Sequence, residues 1–190
     1  FTKSWYNYNQ IESIRRRIMD IIVKYIDELL EKSTPDAPMW NIEKIRDGGV
    51  KSNWNYIDGV MIKAVLQMYD VTKDEKYLKF ADDFIDYRVH EDGTIEGYSV
   101  GEKNIDNVNA GKTLFELYDL TGKEKYRKAI DLVYSQIEIM PRCNNEARSF
   151  WHKDIYPNQV WLDGMYMGQP FYLEYETKFN NRKNYPDIFA

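Results

Sequence analysis

The stretch Tyr69-Asp70-Val71-Thr72-Lys73-Asp74-Glu75-Lys76-Tyr77 recurs 49 residues later as Tyr118-Asp119-Leu120-Thr121-Gly122-Lys123-Glu124-Lys125-Tyr126. Self-similarity at a fixed period marks a repeated supersecondary unit. Each copy follows an apolar helical pattern, about residues 59 to 69 and 108 to 118, and precedes an amphipathic one, about 74 to 87 and 124 to 139. The Thr-Gly-Lys run reads as a helix stop, because Gly122 is free to take a positive φ. The acidic residue after it suits the positive start of the next helix. A degraded third copy begins at Trp161, where Asp163-Gly164 echoes Asp58-Gly59 and Tyr175-Glu176-Thr177 echoes Tyr118 to Thr121. The unit is therefore helix, tight turn, helix and a long return loop.

Repeated helical hairpins stack into a superhelix or close into a ring. A tetratricopeptide solenoid has a period of about 34 residues and shorter loops. Here the period is longer, and the segments 89 to 107 and 141 to 160 lie between helices. Loops of that length are usually functional. Both precede the first helix of a hairpin, so a ring gathers them at one mouth. The fold expected is all-α, an (α/α)6 toroid. Residues 1-190 supply about three hairpins, the N-terminal portion of a single barrel domain truncated at its C-terminus. Upstream, Ile11, Ile14, Ile18, Ile22, Tyr25, Ile26, Leu29 and Leu30 mark one face of a long first helix. Strand signals are weak, at 94 to 98 and around 148 to 151.

With 190 residues, 43% hydrophobic, the chain has material for a sizeable core. The net charge of −5 and dispersed basic residues give no footprint for nucleic acid. Arg15-Arg16-Arg17 reads as the solvated side of a helix. The single cysteine, Cys143, excludes an internal disulfide and a multi-cysteine zinc site, and is read as a loop thiol. With only His90 and His152, no histidine-based metal site is expected. No apolar run approaches the ~20 residues of a membrane span, so no membrane partner is expected. No signal peptide is visible, and the compartment, cytoplasmic or periplasmic in a bacterium, stays open. Aromatic residues make up 15%, suited both to a core and to stacking on sugar rings.

Three acids, Asp58, Asp106 and Asp163, sit where loops meet first helices. Each suits helix N-capping as well as chemistry. Trp161 is expected to shield Asp163 from water, the environment that makes a carboxylic acid a general acid near neutral pH. His152 and Lys153 suit either a sugar carboxylate or a plain surface pair. Gly111-Lys112-Thr113 imitates the end of a phosphate-binding loop. The pattern needs a glycine where Asp106 stands, and no strand precedes it. Lys112 and Thr113 are read as first-turn helix residues.

Five segments in order complete the pattern: Trp54 to Gly59, Asn104 to Lys112, Pro141-Arg142, Phe150-Trp151-His152-Lys153 and Tyr156 to Gly164. Together they resemble the unsaturated rhamnogalacturonyl hydrolases of glycoside hydrolase family 105. They are similar, more distantly, to the unsaturated glucuronyl hydrolases of family 88. The resemblance implies Asp163 as general acid/base and Asp106 as the second carboxylate. It places His152, Lys153, Trp54, Tyr56, Trp161 and Asn107 at the substrate, with no metal and no cofactor. Ala147-Arg148-Ser149 stands where many relatives carry glycines. The implied substrate is an oligosaccharide ending in a 4,5-unsaturated galacturonic acid, from pectin, removed by hydration of the double bond. Two other readings stay open: a family 88-type enzyme on glycosaminoglycan fragments, and an inactive toroid that binds carbohydrate. A half-ring would expose inner helix faces and allow self-association through them.

Overall fold

A computed structural model describes all residues except Phe1, Val50, Lys51, Asn145, Ala147 and Ala190, with backbone alone at 2–7, 9, 44, 45 and 47. The described residues form helices and no strand. In order these are α1 (Thr2–Glu31), α2 (Ile42–Gly48), α3 (Tyr56–Thr72), α4 (Glu75–Asp86), α5 (Ile105–Thr121), α6 (Glu124–Ile139), α7 (Leu162–Lys178) and α8 (Tyr185–Ile188). Helices α3, α5 and α7 lie side by side as first helices of successive hairpins, and α4 and α6 back α3 and α5. This is the hairpin architecture of an α/α toroid. The expected strand segments form only isolated bridges, Val89 to Ile95 and Arg142 to Phe150. Each lacks the neighbouring pairs that would extend a ladder.

Helix α5 is the central stave. Seven consecutive residues, Ile105 to Gly111, are buried, because α3, α6 and α7 surround it. Close approach depends on small residues. A Cβ on Gly59 would lie 2.5 Å from the Ala110 Cα, and one on Gly168 would lie 2.6 Å from Ile105 Cδ1. The core between the rows is fully buried at Ile62, Leu66, Leu114, Phe115, Ile130 and Phe171.

The tight turns repeat in atomic detail. Thr72 Oγ1 donates to Met68 O at 2.6 Å, and Thr121 Oγ1 donates to Leu117 O at 2.6 Å. The Tyr69 hydroxyl reaches Glu75 at 3.4 Å as Tyr118 reaches Glu124 at 3.3 Å. The stop residue is left-handed in both copies, Lys73 at φ 57° and Gly122 at φ 68°. Only α1 departs from its expected packing. Ile26 is buried, but Ile11, Ile14, Ile18, Ile22 and Tyr25 are exposed. No helix among the described residues is long and apolar enough to cross a membrane.

Candidate functional site

The three acids do not occupy equivalent positions. Asp106 and Asp163 are the second residues of α5 and α7, whereas Asp58 is the third residue of α3. The turns agree: Tyr69 to Tyr118 spans 49 residues, which pairs Asp106 with Ile57. One residue is about 100° of rotation on a helix. Asp58 consequently turns away from the mouth and is 3% exposed. Its carboxylate accepts from Trp40 Nε1 at 2.8 Å, Asn55 Nδ2 at 2.9 Å and Ser52 Oγ at 3.2 Å. The Asn55 side chain in turn accepts from the Asp58 N–H at 3.0 Å, capping α3 reciprocally. Burial pushes the Asp58 carboxyl above its ordinary range, against those hydrogen bonds.

Asp106 and Asp163 instead meet across the two neighbouring staves, with His152 between them. One ligand-type atom of each lies within 4.8 Å of the others. His152 Nε2 is 3.5 Å from Asp106 Oδ2, and Lys153 Nζ is 2.9 Å from the same oxygen. Asp106 and His152 are buried, at 8% and 1% exposure, while Asp163 is exposed. The group therefore sets a fixed, charge-compensated acid beside one open to solvent.

The loop between α6 and α7 delivers the histidine and the lysine. His152 O accepts from the Ile105 N–H at 3.0 Å, Lys153 bridges Asn104, and the Asp154 N–H donates to Lys103 O at 3.2 Å. The first of these bonds satisfies a donor left open at the start of α5, and the last satisfies the Lys103 carbonyl just before it. The Asn104 side chain accepts from the Asp106 N–H at 3.2 Å, so the cap of α5 comes from Asn104, not from Asp106.

Trp161 stacks on His152, ring centroids 4.0 Å apart and 9° from parallel, and Tyr156 stacks on Trp161 at 5.7 Å. The indole therefore orients the imidazole. The expected shielding of Asp163 is absent, since that carboxyl is exposed. Trp54 is 3% exposed, and its Nε1 donates to Asn107 O at 2.9 Å, which pins α5 rather than presenting a ring to the mouth. The Asn107 amide donates to Glu102 at 3.2 Å. Tyr56, at the start of α3, is exposed. Lys112 lies two turns inside α5, not in its first turn. Of the glycine-replacing segment, Ala147 falls outside the described residues. Arg148 adopts φ 47°, the region where glycine is least strained. Sequence reasoning missed the Tyr156 stack and the Asn104 cap; the Asn-x-Asp spacing was the available signal for the latter.

Asp106, His152 and Asp163 form a grouping with the spacing to hold a metal ion, which two scattered histidines did not lead us to expect. The Lys153 ammonium already supplies the positive charge at Asp106. The donor set is better suited to proton transfer than to a cation.

Residues 18–190 match the family model described as Glycosyl Hydrolase Family 88. The chain belongs to glycosyl hydrolase family 88. Its structure is similar to that of a family 105 glycoside hydrolase from C. acetobutylicum ATCC 824, with 43% identity and a TM-score of 0.68. The match covers 77% of this chain and 41% of that one, so the chain spans less than half the length of its solved relative. Family membership accounts for the toroid hairpins and for a mouth built from loop ends.

Proposed function

We propose that the protein carrying this chain is an unsaturated rhamnogalacturonyl hydrolase, in which Asp163 is the general acid/base and residues 1-190 form the N-terminal part of one barrel. The observation that carries the reading is the meeting of Asp163 with Asp106, His152 and Lys153 at the joint mouth of α5 and α7. The similarity to a family 105 glycoside hydrolase supports the substrate class.

The substrate ends in a uronic acid with a C4=C5 double bond conjugated to the ring oxygen. The Asp163 carboxyl gives its proton to C4, and positive charge develops at C5 and the ring oxygen. A water adds at C5 as the Asp163 carboxylate takes one of its protons, which restores the acid. The hemiketal so formed opens, the C1 glycosidic oxygen leaves with a proton, and the remaining saccharide is released. Asp106 stabilises the developing positive charge, and Lys153 holds Asp106 in place. One carboxyl serves both proton transfers, so the spacing rule for paired carboxylates in ordinary glycosidases does not apply. The partly exposed Lys153 ammonium can donate to sugar hydroxyls or the uronate, with His152 behind it beside Asp106. Trp161 and Tyr56 are both partly open to solvent and supply aromatic surface beside the site.

Loss of ultraviolet absorbance from unsaturated galacturonyl-rhamnose tests the reading. Asp163→Asn is expected to lower kcat by roughly 10²-fold or more, the range for removal of an acid/base. Retained turnover would overturn the assignment. A family 88-type activity on glycosaminoglycan fragments is the second reading, favoured by the family model that matches residues 18–190. Faster turnover of an unsaturated chondroitin disaccharide than of the rhamnose conjugate would select it.

A further inference from the structure

Pro170 lies inside α7. It has no N–H to return to the carbonyl four residues earlier, which is that of Tyr166. Lys112 on α5 takes this oxygen: its Nζ donates to Tyr166 O at 3.1 Å and sits 3.7 Å from the centroid of the Tyr166 ring. Among the described residues Lys112 has no carboxylate partner. The nearby Lys63 on α3 is instead paired with Glu116. Burial and then the Lys63 charge lower the Lys112 ammonium to about 8. A partly desolvated cation is thus retained on a backbone oxygen and an aromatic face, at a cost that demands a return.

The return is geometric. Tyr166 is one helical turn after Asp163, and Lys112 is under two turns after Asp106. We propose that Lys112 is a positioning residue: it takes the carbonyl released by Pro170 and so fixes the first turn of α7, with Asp163, against the turn of α5 that carries Asp106. Without it, the proline leaves that turn short of one ladder bond and free to tilt. The catalytic meaning rests on the proposed function; the structural coupling does not.

The test uses Lys112→Met, Lys112→Arg, Pro170→Ala and the Pro170→Ala/Lys112→Met double variant in the whole protein. Amide hydrogen exchange and steady-state kinetics are the readouts. Lys112→Met should speed exchange at residues 166 to 169 by about tenfold, the size of one lost hydrogen bond to a charged group. It should lower kcat by a similar factor with KM little changed. Lys112→Arg keeps a donor and should recover most of both. Pro170→Ala restores an N–H to Tyr166 O, so the double variant should exchange and turn over nearly as Pro170→Ala alone does. Unchanged exchange in Lys112→Met overturns the proposal. So does a raised KM with intact kcat that Pro170→Ala fails to relieve, which would make Lys112 a substrate contact. If Lys112→Met does not fold, the double variant decides: a folded one supports the role and an unfolded one overturns it. If exchange follows the expected pattern while the wild type does not hydrate the unsaturated uronate, the positioning role stands and the proposed function falls.

Discussion

The first turn of α3 and the first turns of α5 and α7 begin from similar material, an acid just inside a helix after a long connection. They end with opposite roles. In α3 the acid is the third residue, and it closes a ring of Trp40, Ser52 and Asn55 beneath the surface. In α5 and α7 it is the second residue, and the two carboxylates converge with His152. A shift of one position separates a sequestered acid from one that joins a second carboxylate and His152. Residue type and nearness to a loop are therefore poor guides to which acids share a site in repeated hairpins; helical register is the better one.

Substitution of the acids is the strongest way to break this comparison. Asp106→Asn should lower kcat by about 10²-fold, as expected for loss of a preorganised electrostatic group, and leave the urea midpoint nearly unchanged. Asp58→Ala should behave in reverse. It strands Trp40 Nε1 and Ser52 Oγ, and should cost roughly 2–3 kcal/mol by denaturant unfolding, with kcat per folded molecule within a few-fold of wild type. An equal loss of activity in both variants would show that register is not the discriminator.

Much of this was legible in the sequence. The Tyr69 and Tyr118 repeats located both tight turns, because local hydrogen bonds to Thr and Tyr side chains write the turn into adjacent residues. The limits of α6 were also legible, at Glu124 and Ile139. The fates of Asp58 and Trp161 were not. Asp58 is sequestered by Trp40, which is 18 residues away, and Trp161 is turned onto His152 by packing. Those contacts depend on tertiary placement that periodicity does not encode. Lys112 lies about one turn deeper in its helix than expected, since α5 starts at Ile105 rather than near 108; that start is polar, Asn104 to Asn109, and carries little helical hydrophobic signal.

Smaller effects sharpen the comparison. Gly59→Ala drives a methyl toward the Ala110 backbone and should cost about 1–3 kcal/mol, read from thermal unfolding. At the repeated turns the left-handed position should respond in opposite directions. Gly122→Ala should destabilise and Lys73→Gly should stabilise, each by about 1 kcal/mol. The smallest effect is a pH dependence. Lys112 is held at about 8 in the folded chain against an ordinary 10.5. A depressed lysine contributes stability that is present above 10.5 and lost as the pH falls through 8. Relative to Lys112→Met, the wild type should therefore gain stability as pH rises from 8 to 10.5. A flat difference across that window, measured by urea titration, would contradict the burial of the ammonium.

The backbone bond from Ile105 N–H to His152 O has a kinetic meaning. A loop opening that carries the His152 backbone away from α5 must also release that amide to solvent. The exchange rate of the Ile105 amide is therefore an internal clock for excursions of the loop between α6 and α7. It reports how often the site comes apart in the absence of any ligand.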